Sequence, residues 1–261
     1  ALHLMLKYNI HHLPVLDENH KPLGMLTSTD LLRQQKSDPV QLIGRIYKAH
    51  SIADLKRYAG EIPELLRSFS YNIEDISLIG KLLSGLTDAL TSRLIHLFQE
   101  ENGAAPTSFC FICFGSQARE EQTLHSDQDN GLLLPDDLSE QHQAYFKHMG
   151  EFVCEQLVEC GIRRCPGNIM ASSDECRMSV SQWCERFFKW IKSPTPSAML
   201  NCKIFFDLRF IEGSNALYSG FCEQLNRISR DELFYAAMAT DIRASLVPIG
   251  LFNKLKTEKS D

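Results

Sequence analysis

The chain has 261 residues, 44% of them hydrophobic, and a formal net charge of −6 at pH 7. This length allows one large or two ordinary domains with a sizeable core. The negative balance argues against non-specific binding to nucleic acid or to an anionic membrane, because both are themselves negatively charged. No apolar run is long enough to span a bilayer, and the N-terminus shows no signal-peptide pattern.

The nine cysteines are odd in number and scattered, which is typical of a reduced, cytoplasmic protein. Cys110 and Cys113 imitate a C-x-x-C motif, but positions i and i+3 of a strand face opposite sides and do not readily share a metal. Cys160 and Cys165 bracket a turn without a second pair at zinc-site spacing. We therefore interpret every cysteine as a small buried apolar residue.

The first 36 residues predict the end of a helix, two short strands around a polar turn, and a helix capped by Ser28 or Thr29. The segment Gly24-x-x-Thr27-x-x-Asp30 resembles the closing half of a CBS domain, where such residues contact adenosine nucleotides. The resemblance implies a weak adenine-nucleotide site at these three positions. It also implies a homodimer, since CBS modules usually pair, and a chain that is a fragment of a longer one. The alternative is a structural remnant in which Asp30 simply caps a helix.

Residues 37–103 carry helical periodicity throughout. Pro39 suits a first helical turn, and Ser51 with Asp54 indicates another helix start. From Ile73 to Glu100 an apolar residue recurs every three or four positions, which predicts a long amphipathic helix that Gly103 ends. We interpret these stripes as core packing.

The most informative stretch is residues 108–134. Phe109 to Phe114 is a continuous apolar run and predicts a buried strand. Ser116 predicts the N-cap of a short helix through about Gln122. Asp127 to Leu134 predicts a second strand, which begins with acids and ends with three leucines.

Asp127 and Asp129 should point the same way, because side chains on a strand alternate between faces. Two adjacent carboxylates repel each other and are best tolerated with a cation between them, and Mg²⁺ prefers carboxylate, phosphate and water oxygens. Gly115 allows the backbone to approach a phosphate, and the N–H groups that follow form an anion site. Arg119 would offset the phosphate charge. The alternative is a polar turn with a solvated acid pair.

Further along the chain, Ser139 should cap a helix that runs to about Cys160, and residues 161–176 form a turn-rich loop. A helix is predicted from Val180 to Ile191, a strand from Cys202 to Ile211, and helices from Asn215 onward. Within the predicted strand, Asp207 interrupts an apolar run and needs a partner.

A two-part motif resembles the signature of the DNA polymerase beta-like nucleotidyltransferase superfamily: Gly115-Ser116-x-x-Arg119-x-Glu121-Gln122, followed by Ser126-Asp127-Gln128-Asp129-Asn130. It is most similar to the nucleotidyltransferases that follow CBS domains in bacteria. These are relatives of the N-terminal catalytic domain of PII-protein uridylyltransferase. The resemblance implies an α+β fold with an α/β core, in which helices flank a mixed sheet.

The resemblance also assigns roles. Asp127 and Asp129 would be catalytic and hold two Mg²⁺ ions, with Asp207 as the third acid; a salt bridge from Asp207 to Arg209 is the alternative. Nucleotide-binding residues would be Gly115, Ser116, Arg119 and Arg164. Arg163 could serve in place of Arg164, and the alternative is that both loop arginines are ordinary solvated side chains. An acceptor hydroxyl, which the resemblance to PII-protein uridylyltransferase places on a protein, would attack the α-phosphate of a nucleoside triphosphate.

We therefore expect four regions: a partial CBS module (1–36), a helical region (37–103), a nucleotidyltransferase-like domain (104–222) and the start of a helical region (223–261). A non-catalytic sensor of adenine nucleotides, or a scaffold that binds partners through the helix at 73–100, are the rival interpretations. The intact acid pair favours the enzyme, because a fold without catalysis has little reason to keep two repelling carboxylates.

Overall fold

The computed structural model describes residues 1–28, 39–70, 77–228 and 231–244. The helices are α1 (Leu2–Tyr8), α2 (Pro39–Tyr47), α3 (Ile52–Ala59), α4 (Ile62–Ser70), α5 (Ser77–Asn102), α6 (Gly115–Ala118), α7 (Glu140–Glu159), α8 (Val180–Lys192), α9 (Pro196–Phe205), α10 (Asn215–Ile228) and α11 (Glu232–Ala244). The strands are β1 (His12–Leu16), β2 (Pro22–Thr27), β3 (Cys110–Phe114), β4 (Asn130–Leu134), β5 (Arg177–Ser179) and β6 (Leu208–Gly213).

Four strands form a mixed sheet in the order β5-β4-β3-β6. β3 pairs antiparallel with both β4 and β6, and β4 pairs parallel with β5. Alternate residues of β3 and β4 enter different cores, with Phe111 and Leu132 on one face and Ile112 and Leu133 on the other. Helices cover both faces, so the predicted α+β fold with a mixed sheet flanked by helices is confirmed.

The first core is built around α5, which contacts α1, α2, α3, α4, α7 and β6. Leu86, Leu90 and Leu94 of this helix are fully buried, as the sequence periodicity predicted. The second core, on the other face of the sheet, is aromatic. Trp183 and Phe187 of α8 are fully buried in it, and Trp183 Nε1 donates a 3.0 Å hydrogen bond to the carbonyl of Leu132.

Side-chain caps fix several helix starts where the sequence predicted them. Ser51 accepts a hydrogen bond from the N–H of Asp54, and Ser139 accepts one from the N–H of His142. Gly103, in the left-handed region at φ +87°, follows the end of α5. These local signals agree with the packing, because each cap precedes a helix whose apolar side chains enter a core.

The predicted strand from Cys202 to Ile211 is wrong in its first half. Residues up to Phe205 belong to α9, and β6 begins only at Leu208. The physical reason is the start signal ahead of the apolar run: the hydroxyl of Thr195 accepts the N–H of Ala198 at 3.2 Å, and a proline occupies the first helical turn.

The first 28 residues form α1 and an antiparallel hairpin of β1 and β2, which confirms the predicted helix and two strands. Most of the hairpin is exposed. Thr29 and Asp30 lie outside the described residues, and so does the helix predicted to follow them. In the ranges that the structure covers, no helix combines the length and apolar character needed to cross a membrane.

Candidate functional site

The acid pair lies just ahead of β4 rather than on it. The strand begins at Asn130 instead of the predicted Asp127, because Asp127 forms an isolated parallel bridge with Arg163 of the following loop. Backbone pairing nevertheless continues beyond the strand: the N–H of Phe114 donates to the carbonyl of Asp129 at 2.8 Å. The segment is therefore extended and held on both sides.

The predicted common orientation of the two acids is explained by the residues between and after them. Gln128 is buried and donates through Nε2 to the carbonyls of Cys154 (3.0 Å) and Ile162 (3.2 Å). Asn130 is also buried, and its Oδ1 accepts the N–H of Ala171 at 2.8 Å. With these side chains anchored inward, the two alternating acids face the other way.

A third side chain joins the acids. One carboxylate oxygen each from Asp127 and Asp129 and the Sγ of Cys165 lie within 4.8 Å of one another. The thiol of Cys165 hydrogen-bonds the Asp129 carboxylate, so the interpretation of every cysteine as a small apolar residue is wrong at this position. The sequence signal was weak, because a turn-rich loop does not by itself reveal which strand end it contacts.

Charge is costly at Asp129. Burial raises the pKa of its carboxyl to about 6, the negative charge of Asp127 adds to this, and the Cys165 hydrogen bond and the positive charge of Arg119 oppose it. Burial, together with the Asp129 carboxylate, also raises the pKa of the Cys165 thiol to about 11. A bound cation would relieve both effects, because it favours the ionised form of every ligand.

The Gly-Ser turn approaches Asp129 closely. Gly115 adopts φ +55°, and a Cβ atom at this position would lie 3.2 Å from Oδ2 of Asp129. The predicted helix from Ser116 to Gln122 is wrong in extent: α6 covers four residues, Phe114 occupies the N-cap position, and Ser116 provides no cap. The helix stops early because Glu120 takes the left-handed conformation at φ +60°. The N–H of Gly115 donates to the carbonyl of Asp207 at 3.0 Å, so phosphate contacts from this turn fall to the residues after it.

Arg119 and Asp207 form an ion pair at the edge of the site. Nη1 of Arg119 donates to Oδ2 of Asp207 at 2.7 Å, and its Nε donates to Oε2 of Glu121 at 2.8 Å. Asp207 is not in the three-residue cluster, although its backbone touches Gly115. The alternative salt bridge from Asp207 to Arg209 is replaced by this pairing, since Arg209 binds Asp88 instead.

This strand, Gly-Ser turn and acid pair lie within residues 60–197, which match the family model described as "Putative nucleotidyltransferase DUF294". The match covers more than half of the 261 residues. The chain belongs to this family. Residues 1–37 of the DUF294 protein match the CBS domain model. No curated protein and no solved structure matches the chain.

Sequence reasoning missed the network that anchors the Gly-Ser turn of the DUF294 protein to α5. Arg209 binds both carboxylate oxygens of Asp88 (2.6 and 3.1 Å) and donates to the carbonyl of Gln117 at 2.9 Å. The side chain of Gln117 completes the network with a 2.9 Å bond to Asp88. The turn is therefore fixed by β6, which neighbours β3 in the sheet, and by α5, the longest helix of the first core.

The two loop arginines of the DUF294 protein have different partners. Arg164 pairs with Glu155 of α7. Nη2 of Arg163 lies 3.0 Å from Nδ1 of His125, and its backbone bridges Asp127. Arg163 is thus the arginine that the fold places beside the site, whereas Arg164 would have to leave Glu155 to serve there.

The predicted CBS ligand positions are only partly described. Gly24 is exposed on β2, and Thr27 ends the same strand. The CBS portion does contact the rest of the DUF294 protein. Helix α1 packs on α5, and Nδ1 of His3 lies 3.9 Å from Oε2 of Glu120, the residue after Arg119.

Proposed function

We propose that the protein is a Mg²⁺-dependent nucleotidyltransferase that moves a nucleoside monophosphate from a nucleoside triphosphate to an acceptor hydroxyl. The observation that carries this proposal is the clustering of Asp127 with Asp129, whose carboxylate lies against the Gly115 turn. An acid pair and a glycine-led turn within contact distance are the two parts that metal-assisted phosphoryl transfer needs.

The residues present fit a divalent cation. The half-buried carboxylates of Asp127 and Asp129 offer oxygen ligands, and a bound cation would offset the burial and the charge of Asp127 that together raise the pKa of Asp129. A bound Mg²⁺ supplies charge neutralisation and polarisation of the phosphoryl oxygens. We expect Ser116, in the first turn of α6, and Arg119, at the end of this helix, to hold the triphosphate.

Arg119 links triphosphate binding to the third acid. In the protein alone, its guanidinium is held by Asp207 and Glu121. A triphosphate carries more negative charge than one carboxylate and should draw Arg119 away from Asp207. Asp207 would then be free to turn toward Asp129, either as a further ligand or as the base that accepts the proton of the attacking hydroxyl.

The acceptor hydroxyl would attack the α-phosphate, and pyrophosphate would leave. By resemblance to PII-protein uridylyltransferase, the acceptor could be a protein side chain and the donor UTP or ATP. We also propose that the CBS portion regulates the enzyme by binding an adenine nucleotide and that the protein forms a homodimer. The contact of His3 with Glu120, next to Arg119, supports a route between the two. A sensor without catalysis remains the rival function.

The decisive experiment is titration calorimetry of ATP and UTP, with and without Mg²⁺, on the wild type and on Asp127→Asn/Asp129→Asn. Asp137→Asn is the control, because Asp137 is exposed and lies in the turn after β4. We expect Mg²⁺-dependent binding that only the double variant loses, and a fall in pyrophosphate release of about a hundredfold or more. Nucleotide binding that survives the double change would move the ligand to the CBS portion and favour the sensor.

A further inference from the structure

Cys165 occupies the position that a third ligand would take. Its Sγ and one carboxylate oxygen each of Asp127 and Asp129 lie within 4.8 Å of one another, and the bridge between Asp127 and Arg163 holds the loop that carries Cys165 beside the acids. The bridge is reinforced by the N–H of Gln128, which donates to the carbonyl of Arg163 at 2.9 Å. The thiol and both carboxylates therefore converge without rearrangement of the backbone.

Two further hydrogen bonds fix the loop that carries Cys165. The carbonyl of Cys165 accepts the N–H of Asn168 at 3.0 Å, and the carbonyl of Ile169 accepts the N–H of Asn130 at 3.1 Å. Among the residues that the structure covers, this is the one cluster of at least three metal-ligating side chains. The other cysteine near Asn130, Cys154, is buried and bonds its amide oxygen instead.

Sulfur changes which cation the cluster prefers. Mg²⁺ binds oxygen ligands and gains little from a thiolate, whereas Mn²⁺, Co²⁺ and Zn²⁺ bind sulfur increasingly well in that order. We propose that Cys165 is a metal ligand, and that the site binds a first-row transition cation through two carboxylates and a thiolate more tightly than it binds Mg²⁺. This inference rests on the proposed function and concerns the identity of its cation.

Co²⁺ is a suitable probe, because thiolate coordination gives it a near-ultraviolet charge-transfer band that oxygen ligands do not produce. We expect the wild type to show this band and to bind Co²⁺ more tightly than Mg²⁺. Cys165→Ser keeps the size and the hydrogen bond to Asp129. It should lose the band and weaken Co²⁺ binding by about tenfold or more, with Mg²⁺ affinity changed by less than about threefold.

Two controls assign the band. Cys160→Ser makes the same exchange at a half-buried cysteine outside the cluster and should leave the band intact. Asp127→Asn/Asp129→Asn should abolish it. A band that persists in Cys165→Ser, or a wild type that binds Mg²⁺ normally and Co²⁺ without the band, overturns the role of Cys165 and leaves the proposed function standing. A wild type that binds neither cation overturns both.

Discussion

Replacing Asp129 by asparagine should stabilise the metal-free protein at neutral pH. Burial and the neighbouring charge of Asp127 raise the pKa of Asp129 to about 6 from an ordinary value of 3.8. A difference of about 2 in pKa corresponds to about 3 kcal/mol between the two protonation states. Asparagine keeps an acceptor for Cys165 and carries no charge at any pH, so it removes this cost.

The sign of the pH dependence follows from the direction of the shift. Because the folded state binds the proton more tightly than the unfolded state, ionised Asp129 destabilises the fold increasingly as pH rises from about 4 to about 6. Below that window both states hold the proton, and the two proteins should be equally stable. Above it, the midpoint temperature of Asp129→Asn should exceed that of the wild type by about 5–10 °C.

Thermal unfolding followed by circular dichroism in a chelator, at about pH 4 and about pH 7.5, tests this difference. The exposed Asp137→Asn control should show no gap at either pH. Saturating Mg²⁺ should narrow this difference in midpoint temperature, because it binds the folded wild type alone and so stabilises it. A gap of the same size at both pH values, or a variant that unfolds below the wild type at pH about 7.5, would refute the reasoning.

Two further sets of variants test the surroundings of the acids. Gly115→Ala and Gly103→Ala both place a side chain at positive φ (+55° and +87°), so each should lower the free energy of unfolding by about 1 kcal/mol. Only Gly115→Ala brings a Cβ near Asp129, so only this variant should weaken divalent-cation binding in calorimetry. Equal cation affinities of the two variants would contradict the contact between Gly115 and Asp129. Arg209→Gln leaves the Asp88 carboxylate without its guanidinium partner and should lower the free energy of unfolding by about 3 kcal/mol in chemical denaturation. Most of this loss should be recovered when Asp88→Asn is added. A double variant as unstable as the sum of the single ones would argue against the pairing.

Much of this fold could be predicted where one local signal and the packing agree. The alternating burial of Phe111 and Ile112, and the cap at Ser139, each follow from short-range rules. The common orientation of Asp127 and Asp129 was predicted from the same alternation. It is kept although both acids lie outside β4, because the side chains of Gln128 and Asn130 are anchored inward.

What sequence reasoning missed depends on contacts between distant segments. Arg119 and Asp207 are 88 positions apart, and no local pattern indicates that they pair. Cys165 meets the acids only because its loop adds to their extended segment. The error at α9 had a different cause: the apolar run suited a strand, and the Thr195 cap ahead of it was decisive.

The strand order bears on how much chain the catalytic unit needs. The DUF294 match ends at residue 197, yet β6, the partner of one whole side of β3, comes later. A chain cut at residue 197 would leave β3, a wholly buried apolar strand, as an unpaired sheet edge open to other molecules. Such an edge promotes self-association, so the unit that folds and resists aggregation extends at least to Gly213.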